Sequence, residues 1–264
     1  MPELKKVTQL AAGSNHVIAM TQAGKILSWG TGEQGQLARR QLPSHRGGTR
    51  GGLIPQSIGN LPGRAKPAKL ACGSYHCFVI DTNGRVIGWG LNNFAELAID
   101  DQVGSDGGCI LKPTLVETLK DYQVAHITGG EHHSVCCTED GKLLTWGRID
   151  GHQVGQPRSS FTEKNTRFDE KKNPRVLIIP LQVPNLENDK IIHVAAGPDH
   201  NFAVTQEGKV MSWGFSANYQ TGQGTLDDVE IPTMIDNSAV RGHKVVWAGA
   251  GGQYSMLAAL PKKE

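Results

Sequence analysis

Short runs of apolar and β-forming residues, separated by glycine-rich or polar breaks, follow one another along the chain. In the first 30 residues they occupy Val7–Ala12, His16–Thr21 and 25–29. Runs of this length between such breaks predict β-strands, and no long amphipathic helix is evident. The break before the third run carries a glycine followed by a basic residue, which predicts a tight hairpin with positive φ. The four copies of this glycine are Gly24, Gly84, Gly141 and Gly208.

This strand pattern is repeated four times with fixed spacing. In each copy a glycine is followed by His, a second Gly and a Trp-Gly pair. The repeated histidines are His16, His76, His133 and His200, and the tryptophans are Trp29, Trp89, Trp146 and Trp213. A partial fifth copy begins at Gly251, with Tyr254 at the histidine position. The repeats lie near 7–69, 70–126, 127–193 and 194–245, with a partial one near 246–260, and predict a propeller or solenoid.

A fourth strand is predicted after a variable loop in each repeat, and we expect it to begin with a proline. These prolines are Pro55, Pro113, Pro174 and Pro232. Proline cannot donate to a ladder and therefore favours an edge strand. Four antiparallel strands with such an edge are typical of a propeller blade. We therefore predict an all-β chain, 1–264, that forms an incomplete β-propeller of about four to five four-stranded blades, the fifth copy supplying only inner strands. The long insertion 157–172 is expected to be mobile.

Composition narrows the functional classes only a little. The net charge is +2 and the pI is near 8.3, so no global field favours nucleic acid or a membrane. The amino terminus lacks the apolar run of a signal peptide, and we expect no membrane partner. Five cysteines without a CxxC pair favour reduced thiols in the cytosol or nucleus.

No residue pattern predicts catalysis by the chain itself. We find no nucleophile paired with a base, no metal-ligand cluster and no phosphate-binding loop, and we expect no catalytic residue, metal or cofactor. Gly30-x-Gly32-x-x-Gly35 matches the dinucleotide fingerprint, but the helix and parallel strand that it needs are missing. A nicotinamide oxidoreductase is therefore a distant alternative. The repeated histidines and tryptophans are interpreted as scaffold, each imidazole half-buried and bonded to a neighbouring turn.

Binding residues are expected where the repeats differ. The residue before each repeated histidine lies in the loop between the first two strands, so all copies face one end of the propeller. These rim residues are Asn15, Tyr75, His132, Asp199 and Gln253. All are polar or amphipathic and all differ, as expected of a binding rim on a repetitive scaffold.

A second candidate contact is the basic loop 38–53. It contains no acidic residue and carries four arginines, Arg39, Arg40, Arg46 and Arg50. Its glycines make it an exposed arm that can reach phosphates or an acidic protein surface. A solvated loop without a partner is an equally good interpretation.

The repeat as a whole resembles the regulator of chromosome condensation repeat over nearly the whole chain, from Val7 to about Leu260. Four stretches are similar to the later repeats of the nuclear exchange factor of this family. They read Gly32-Glu33-Gln34-Gly35-Gln36-Leu37, His45-Arg46-Gly47-Gly48, Gly90-Leu91-Asn92-Asn93-Phe94 and Gly129-Gly130-Glu131-His132-His133.

The resemblance implies a guanine-nucleotide exchange factor for the small GTPase Ran, a seven-bladed propeller that also binds nucleosomes. It implies a regulator in nucleocytoplasmic transport and chromatin association, located in the nucleus and also in the cytoplasm. His132 matches the rim histidine that engages the GTPase, whereas Asn15 stands where many members have an acidic residue. Because four repeats and a fraction are present, the chain resembles the C-terminal half, without the family's wedge hairpin or basic tail. The alternative is a non-catalytic binding module for protein or chromatin partners.

Overall fold

The structure, a computed structural model, describes residues 4–39, 50–186 and 188–262. Its strands form five separate antiparallel sheets, which we number as blades in chain order. Blade 1 contains β1 (Val7–Ala12), β2 (His16–Thr21), β3 (Ile26–Gly30) and β4 (Gln56–Ser57). Blade 2 contains β5 (Pro67–Cys72), β6 (His76–Asp81), β7 (Val86–Leu91) and β8 (Cys109–Leu115). Blade 3 contains β9 (Val124–Gly129), β10 (His133–Thr138), β11 (Leu143–Arg148), β12 (Thr166–Phe168) and β13 (Pro174–Gln182).

The fourth sheet again has four strands, and the fifth has only two. Blade 4 contains β14 (Ile191–Ala196), β15 (His200–Thr205), β16 (Val210–Gly214) and β17 (Val229–Met234). Blade 5 contains only β18 (His243–Ala250) and β19 (Ser255–Pro261). Within the described ranges, helix is limited to one α-turn, α1 (Arg50–Leu53), and three short 3₁₀ turns, Pro62–Arg64, Glu117–Leu119 and Arg158–Ser160.

The blades are arranged radially, with the first strand of each one innermost. Successive first strands pack against each other, β1 on β5, β5 on β9, β9 on β14 and β14 on β18. The predicted all-β, incomplete propeller is therefore confirmed, and the fifth copy contributes only an inner hairpin, as expected. The first strands of blades 2 to 5 begin three residues before the expected repeat starts, at Pro67, Val124, Ile191 and His243.

The hydrophobic core lies between neighbouring blades. The cluster between blades 2 and 3 contains Phe78, Leu97 and Trp146, and the Phe78 and Trp146 rings meet edge to face at 6.3 Å between centroids. Trp89, Trp146 and Trp213 are fully buried, as expected of scaffold residues. Trp29 occupies the same repeat position but is only half-buried, because no blade precedes blade 1 among the described residues.

The outer strands require a correction. Pro174 begins β13 and Pro55 directly precedes β4, but the prediction that a proline starts the strand is wrong for Pro113 and Pro232, which lie inside β8 and β17. The register on the neighbouring strand shifts at both prolines. In blade 3 the corresponding shift falls at Pro180, so Pro180 is the repeat proline there, rather than Pro174. A proline lacks an N–H and is tolerated where a bulge interrupts the ladder.

The insertion 157–172 contains regular structure rather than an open loop, and its expected mobility stays a prediction. It contributes β12, which pairs with β13 and gives blade 3 a fifth strand. The Asn165 side chain accepts from the Thr162 N–H at 2.8 Å and donates to the Ser160 carbonyl at 2.9 Å. The Asp169 carboxylate accepts from the Lys171 and Asn173 N–H groups. These side chains satisfy the turn backbone on both sides of β12, which fixes its position.

The arc is open in the part of the chain that the structure describes. There β19 pairs with β18 alone, and no ladder joins blade 5 to blade 1. Most of β19 is exposed, including Met256 and Leu260. An exposed apolar edge of this kind is an aggregation hazard.

Candidate functional site

The rim is formed by the turns between the first and second strands of the blades, 13–15, 73–75, 130–132, 197–199 and 251–254. In four of these turns the rim carbonyl accepts an N–H from the residue that follows the Trp-Gly pair. The bonds join Asn15 to Thr31, Tyr75 to Leu91, His132 to Arg148 and Asp199 to Phe215, at 2.8–3.0 Å. The approach requires glycine: Gly147 has φ +109°, and a Cβ there would lie 2.6 Å from the His132 oxygen. The four turns therefore face the same end of the propeller.

The histidine next to each rim residue is buried between two blades. His76 Nε2 lies 2.9 Å from Ser134 Oγ, and Ser134 Oγ donates to the Glu96 carbonyl at 2.8 Å. Since the hydroxyl proton is used in that bond, His76 must carry its proton on Nε2 and donate to Ser134. The Glu96 carbonyl also accepts from Trp146 Nε1 at 2.8 Å. The same arrangement recurs as His16–Cys77–Gln36, His133–Asn201–Gln153 and His200–Ser255–Gln220.

Burial keeps the imidazoles of His76, His133 and His200 neutral. It lowers the pKa of His76 to about 3 and, as the largest cause, lowers the pKa of His133 and His200 to about 4. The geometry supports the scaffold role expected for the repeated histidines. Two details differ from the expectation: the rings are fully rather than half-buried, and their partners lie on the second strand of the next blade rather than in a turn.

Blades 1 to 4 each also have one buried amide or carboxylate side chain close to the rim. At this position the chain has Gln36, Glu96, Gln153 and Gln220. Each side-chain oxygen accepts the backbone N–H two residues earlier, at 2.8–2.9 Å. In two blades the second terminal atom reaches the rim of the next blade. Gln153 Nε2 donates to Asp199 Oδ1 at 2.9 Å, and Glu96 Oε1 accepts from His132 Nδ1 at 3.0 Å.

His132 is the most firmly positioned of the rim residues, because its ring is held from two sides. Glu96, which is fully buried, fixes the proton on Nδ1, and the Phe94 ring packs on the imidazole at 4.8 Å between centroids. The other nitrogen, Nε2, lies 4.0 Å from Glu131 Oε1, beyond hydrogen-bond distance. The side chain is 18% exposed. A partner at the rim therefore meets an imidazole whose orientation and tautomer are fixed by the protein.

A charged group completes the site beside His132. The Arg148 guanidinium lies 5.2 Å from the Phe94 ring centroid and makes two bonds to Asp150, which also pairs with Arg175 at 3.1 Å. The hydrogen bond with Asp150 raises the pKa of Arg148, and the Asp199 and Glu131 carboxylates act in the same direction. Burial alone would raise the pKa of Asp150, but the two arginines hold it below its usual value. This surface, which we call the His132 site, consists of Phe94, Glu96, His132, Arg148 and Asp150.

The remaining predicted residues are placed less tightly. Asn15 and Gln253 are exposed in their turns, and Tyr75 is half-buried. The Arg39 guanidinium lies against the blade, where it donates to the Ser28 and Ile54 carbonyls at 3.3 Å. Arg40 and Arg46 lie outside the described residues, and Arg50 begins α1. Their binding roles stay predictions.

Four residues of the His132 site did not emerge from the sequence as site residues, namely Phe94, Glu96, Arg148 and Asp150. Two signals point to them. The position after Trp-Gly differs in every repeat, as the rim position does, and Arg148 occupies it. Glu96 is a carboxylate at a position where the other three repeats have glutamine. Phe94 was noted only as part of a family-like stretch, and the fold places that stretch beside His132.

The structure also brings together three potential metal ligands that the sequence analysis did not connect. His16, Cys72 and Cys77 place their ligand atoms within 4.8 Å of one another, between blades 1 and 2. These atoms are close enough to share one ion, and the expectation of no metal stays a prediction. All five cysteines are free thiols. Across the described ranges, no helix has the length and apolar character needed to cross a membrane.

Comparisons with known proteins agree on one family. A family model described as the RCC1-like domain matches residues 1–257. Protein pim1 of Schizosaccharomyces pombe is 44% identical over 261 residues, which are 98% of this chain and 46% of that protein. Guanine nucleotide exchange factor SRM1 of Saccharomyces cerevisiae is 34% identical over 95% of this chain and 50% of its own length.

Among solved structures, that of Prp20p from Saccharomyces cerevisiae superposes with a TM-score of 0.88 at 32% identity. The match covers 98% of this chain and 57% of Prp20p, whose structure was described with its binding properties to Gsp1p and histones. The chain thus spans about half the length of the curated relatives it matches. The predicted resemblance to part of a longer propeller agrees with this coverage.

Proposed function

Because the chain belongs to the RCC1-like domain family, we propose that it acts as part of a guanine-nucleotide exchange factor for a Ran-type small GTPase. Its role is to bind the GTPase through the rim, and it regulates the GTPase without active-site chemistry of its own. A relative at 34% identity is named a guanine nucleotide exchange factor, and the superposed yeast protein is described with its binding to Gsp1p.

The observation that carries the proposal is the His132 site. A polar side chain on a flexible turn loses conformational entropy when it binds, whereas the His132 ring is already fixed by Glu96 and Phe94. Arg148 and Asp150 add a fixed charge pair beside it. A small, preorganised cluster with an aromatic, an arginine and a free imidazole nitrogen has the composition of a protein-binding hot spot.

The mechanism follows from linkage between nucleotide and exchange factor. If the GTPase holds its nucleotide with picomolar affinity, about 16 kcal/mol favours the bound state. A factor that binds the nucleotide-free form more tightly than the loaded form weakens nucleotide binding by the same ratio. Every contact at the rim therefore contributes to exchange only as far as it is stronger in the nucleotide-free complex. For the 264-residue chain alone we expect measurable binding and only weak acceleration of release, since it spans about half of its relatives.

A pull-down tests the proposal directly. The chain is immobilised and offered a Ran-type GTPase stripped of nucleotide, the same GTPase loaded with GDP, or reconstituted nucleosomes. Retention of the nucleotide-free form above the loaded form is the expected result. Equal retention of both forms, or none of either, contradicts the proposed role in exchange.

A second candidate function is a binding module for chromatin, which has its own support. The superposed yeast protein is described as binding histones, and fold alone does not decide between the two functions. Retention of nucleosomes without any GTPase would favour this module. For both functions we propose the nucleus as the location, with the cytoplasm in addition, and imaging of a tagged chain tests it.

A further inference from the structure

The interface between blades 1 and 2 differs chemically from the other three. At each interface the buried histidine forms a hydrogen bond with one residue of the next blade. This residue directly follows the repeated histidine, or Tyr254, of that blade. The four partners are Cys77, Ser134, Asn201 and Ser255. The residue paired with each partner across the hairpin is Cys72, Gly129, Ala196 and Ala250. Only the first interface therefore places two sulfur atoms beside a histidine.

We propose that His16, Cys72 and Cys77 form a zinc site that links blade 1 to blade 2. Imidazole and thiolate are the ligands that Zn²⁺ prefers in proteins, and sites with three protein ligands leave one position for water. The ion would join β2 of blade 1 to β5 and β6 of blade 2.

Two of the three ligand separations lie close to those around a tetrahedral ion, and the third, between His16 and Cys72, is within 4.8 Å. Zn–S bonds of about 2.3 Å and Zn–N bonds of about 2.0–2.1 Å place two sulfurs about 3.8 Å apart and a sulfur and a nitrogen about 3.5 Å apart. The observed separations are 3.6 Å between the two Sγ atoms and 3.0 Å between His16 Nε2 and Cys77 Sγ. An outward shift of about half an ångström by the imidazole satisfies the longer distance.

The protonation changes are also feasible. At this interface His16 Nε2 donates to Cys77 Sγ, whose own proton points to the Gln36 carbonyl. A coordinating thiol loses its proton to the solvent, and the imidazole moves its proton from Nε2 to Nδ1. His16 Nδ1 is buried with no hydrogen-bond partner among the described residues, so the proton that it gains finds no acceptor there. The bonds to zinc must outweigh the cost of this one unpaired buried N–H.

Access and geometry favour binding in the folded chain. His16 and Cys77 are buried, whereas Cys72 is only half-buried and provides the route by which the ion reaches the site. Cys72 and Cys77 are paired directly across the β5–β6 hairpin, so their side chains leave the sheet on the same face. The ladder therefore holds two of the three ligands in place before the ion arrives.

The test uses the reduced, metal-free 264-residue chain titrated with Co²⁺ and then with Zn²⁺. The expected result is one Co²⁺ per chain with thiolate-to-cobalt absorption in the near ultraviolet, removed by one equivalent of Zn²⁺. Cys72→Ala recreates the small residue of the other interfaces and keeps the His16–Cys77 bond. It should weaken Zn²⁺ binding by more than the roughly 10–100-fold that loss of an outer-shell partner causes.

Cys109→Ala is the matched control, because Cys109 is also half-buried but bonds the Gly107 carbonyl in blade 2. It should bind Zn²⁺ like the parent chain. Zn²⁺ should raise the unfolding temperature of the parent and of Cys109→Ala but leave that of Cys72→Ala unchanged. Absence of thiolate absorption at saturating Co²⁺, or equal affinity in Cys72→Ala, overturns the proposal. Formation of a Cys72–Cys77 disulfide with peroxide, without metal binding in the reduced chain, overturns it as well.

Discussion

His132 ends a rim turn and His133 begins β10, so the two histidines are neighbours in sequence, yet they belong to different regions of the molecule. His133 lies in the buried inter-blade network, where its Nε2 donates to Asn201 at 2.7 Å and its pKa is lowered to about 4. His132 lies on the rim, partly exposed, with a nitrogen that no described residue bonds directly. The network is nearly the same at every interface, whereas the rim differs in every blade. The comparison shows that this chain separates stability from recognition at the level of adjacent residues.

The largest expected effect concerns the buried network. Trp146→Ala removes a fully buried ring and the donor to the Glu96 carbonyl, and should lower the free energy of unfolding by about 3–5 kcal/mol. Trp29→Ala is the matched control at the same repeat position, where the ring is only half-buried, and should cost clearly less. Urea unfolding of both variants measures the difference. Equal losses would show that burial between blades is not what stabilises the fold.

The second largest expected effect is a loss of folding stability at acid pH, caused by the buried histidines. The folded pKa values of His76, His133 and His200 lie below the unfolded value of about 6.5, so the unfolded chain binds more protons between them. The stability that these histidines contribute is then full above about pH 6.5 and is lost as the pH falls toward about 4 for His133 and His200 and about 3 for His76. Each histidine contributes up to about 1.4 kcal/mol per pH unit. His133→Gln should reduce the slope of the unfolding free energy against pH by the contribution of one histidine. Urea unfolding at pH 7, 6 and 5 measures this slope. An unchanged slope would contradict burial of His133 as a cause of the pH dependence.

His132→Asn should affect binding and spare stability. The asparagine Nδ2 occupies the place of the imidazole Nδ1 and can keep the bond to Glu96, while the nitrogen offered to a partner is lost. We expect a loss of about 1–3 kcal/mol in GTPase binding with an unfolding free energy within about 0.5 kcal/mol of the parent. Calorimetric titration and urea unfolding measure the two quantities. A loss confined to stability would assign His132 to the scaffold instead.

The smallest expected effect belongs to Glu96→Gln. The glutamine matches the other blades and keeps the bond from the Phe94 N–H, but its Nε2 is a donor and forces His132 to accept at Nδ1. His132 then presents a donor at Nε2 in place of an acceptor. GTPase affinity should change by about 0.5–1.5 kcal/mol with little change in the unfolding free energy. If the affinity is unchanged, the tautomer of His132 plays no part in recognition.

Most of the fold could be predicted from the sequence because every blade repeats the same physical constraints. A tryptophan that must be buried, a histidine that must find a partner and a glycine at positive φ recur with one spacing, and their copies reinforce each other. The proline that occupies the repeat position was harder to predict in blade 3, because Pro174 and Pro180 lie close together there. Only the ladder register shows that Pro180 occupies the bulge.

The site could be predicted only in part. His132 and the other rim residues could be placed from their offset to the repeated histidine. Glu96 and Phe94 lie on blade 2, and their contact with His132 depends on how blade 2 packs against blade 3. The group formed by His16, Cys72 and Cys77 could not be predicted for the same reason, because its members come from two repeats. Contacts between blades depend on packing geometry, which spacing along the chain does not encode.

The most direct test of the rim as a GTPase-binding surface is the affinity of the chain for a Ran-type GTPase in its nucleotide-free and GDP-loaded forms. The account predicts tighter binding of the nucleotide-free form and a preference that His132→Asn reduces about 5- to 150-fold, the range of a typical coupling free energy. Equal affinity for both forms, or the same preference in His132→Asn and the parent chain, would contradict it.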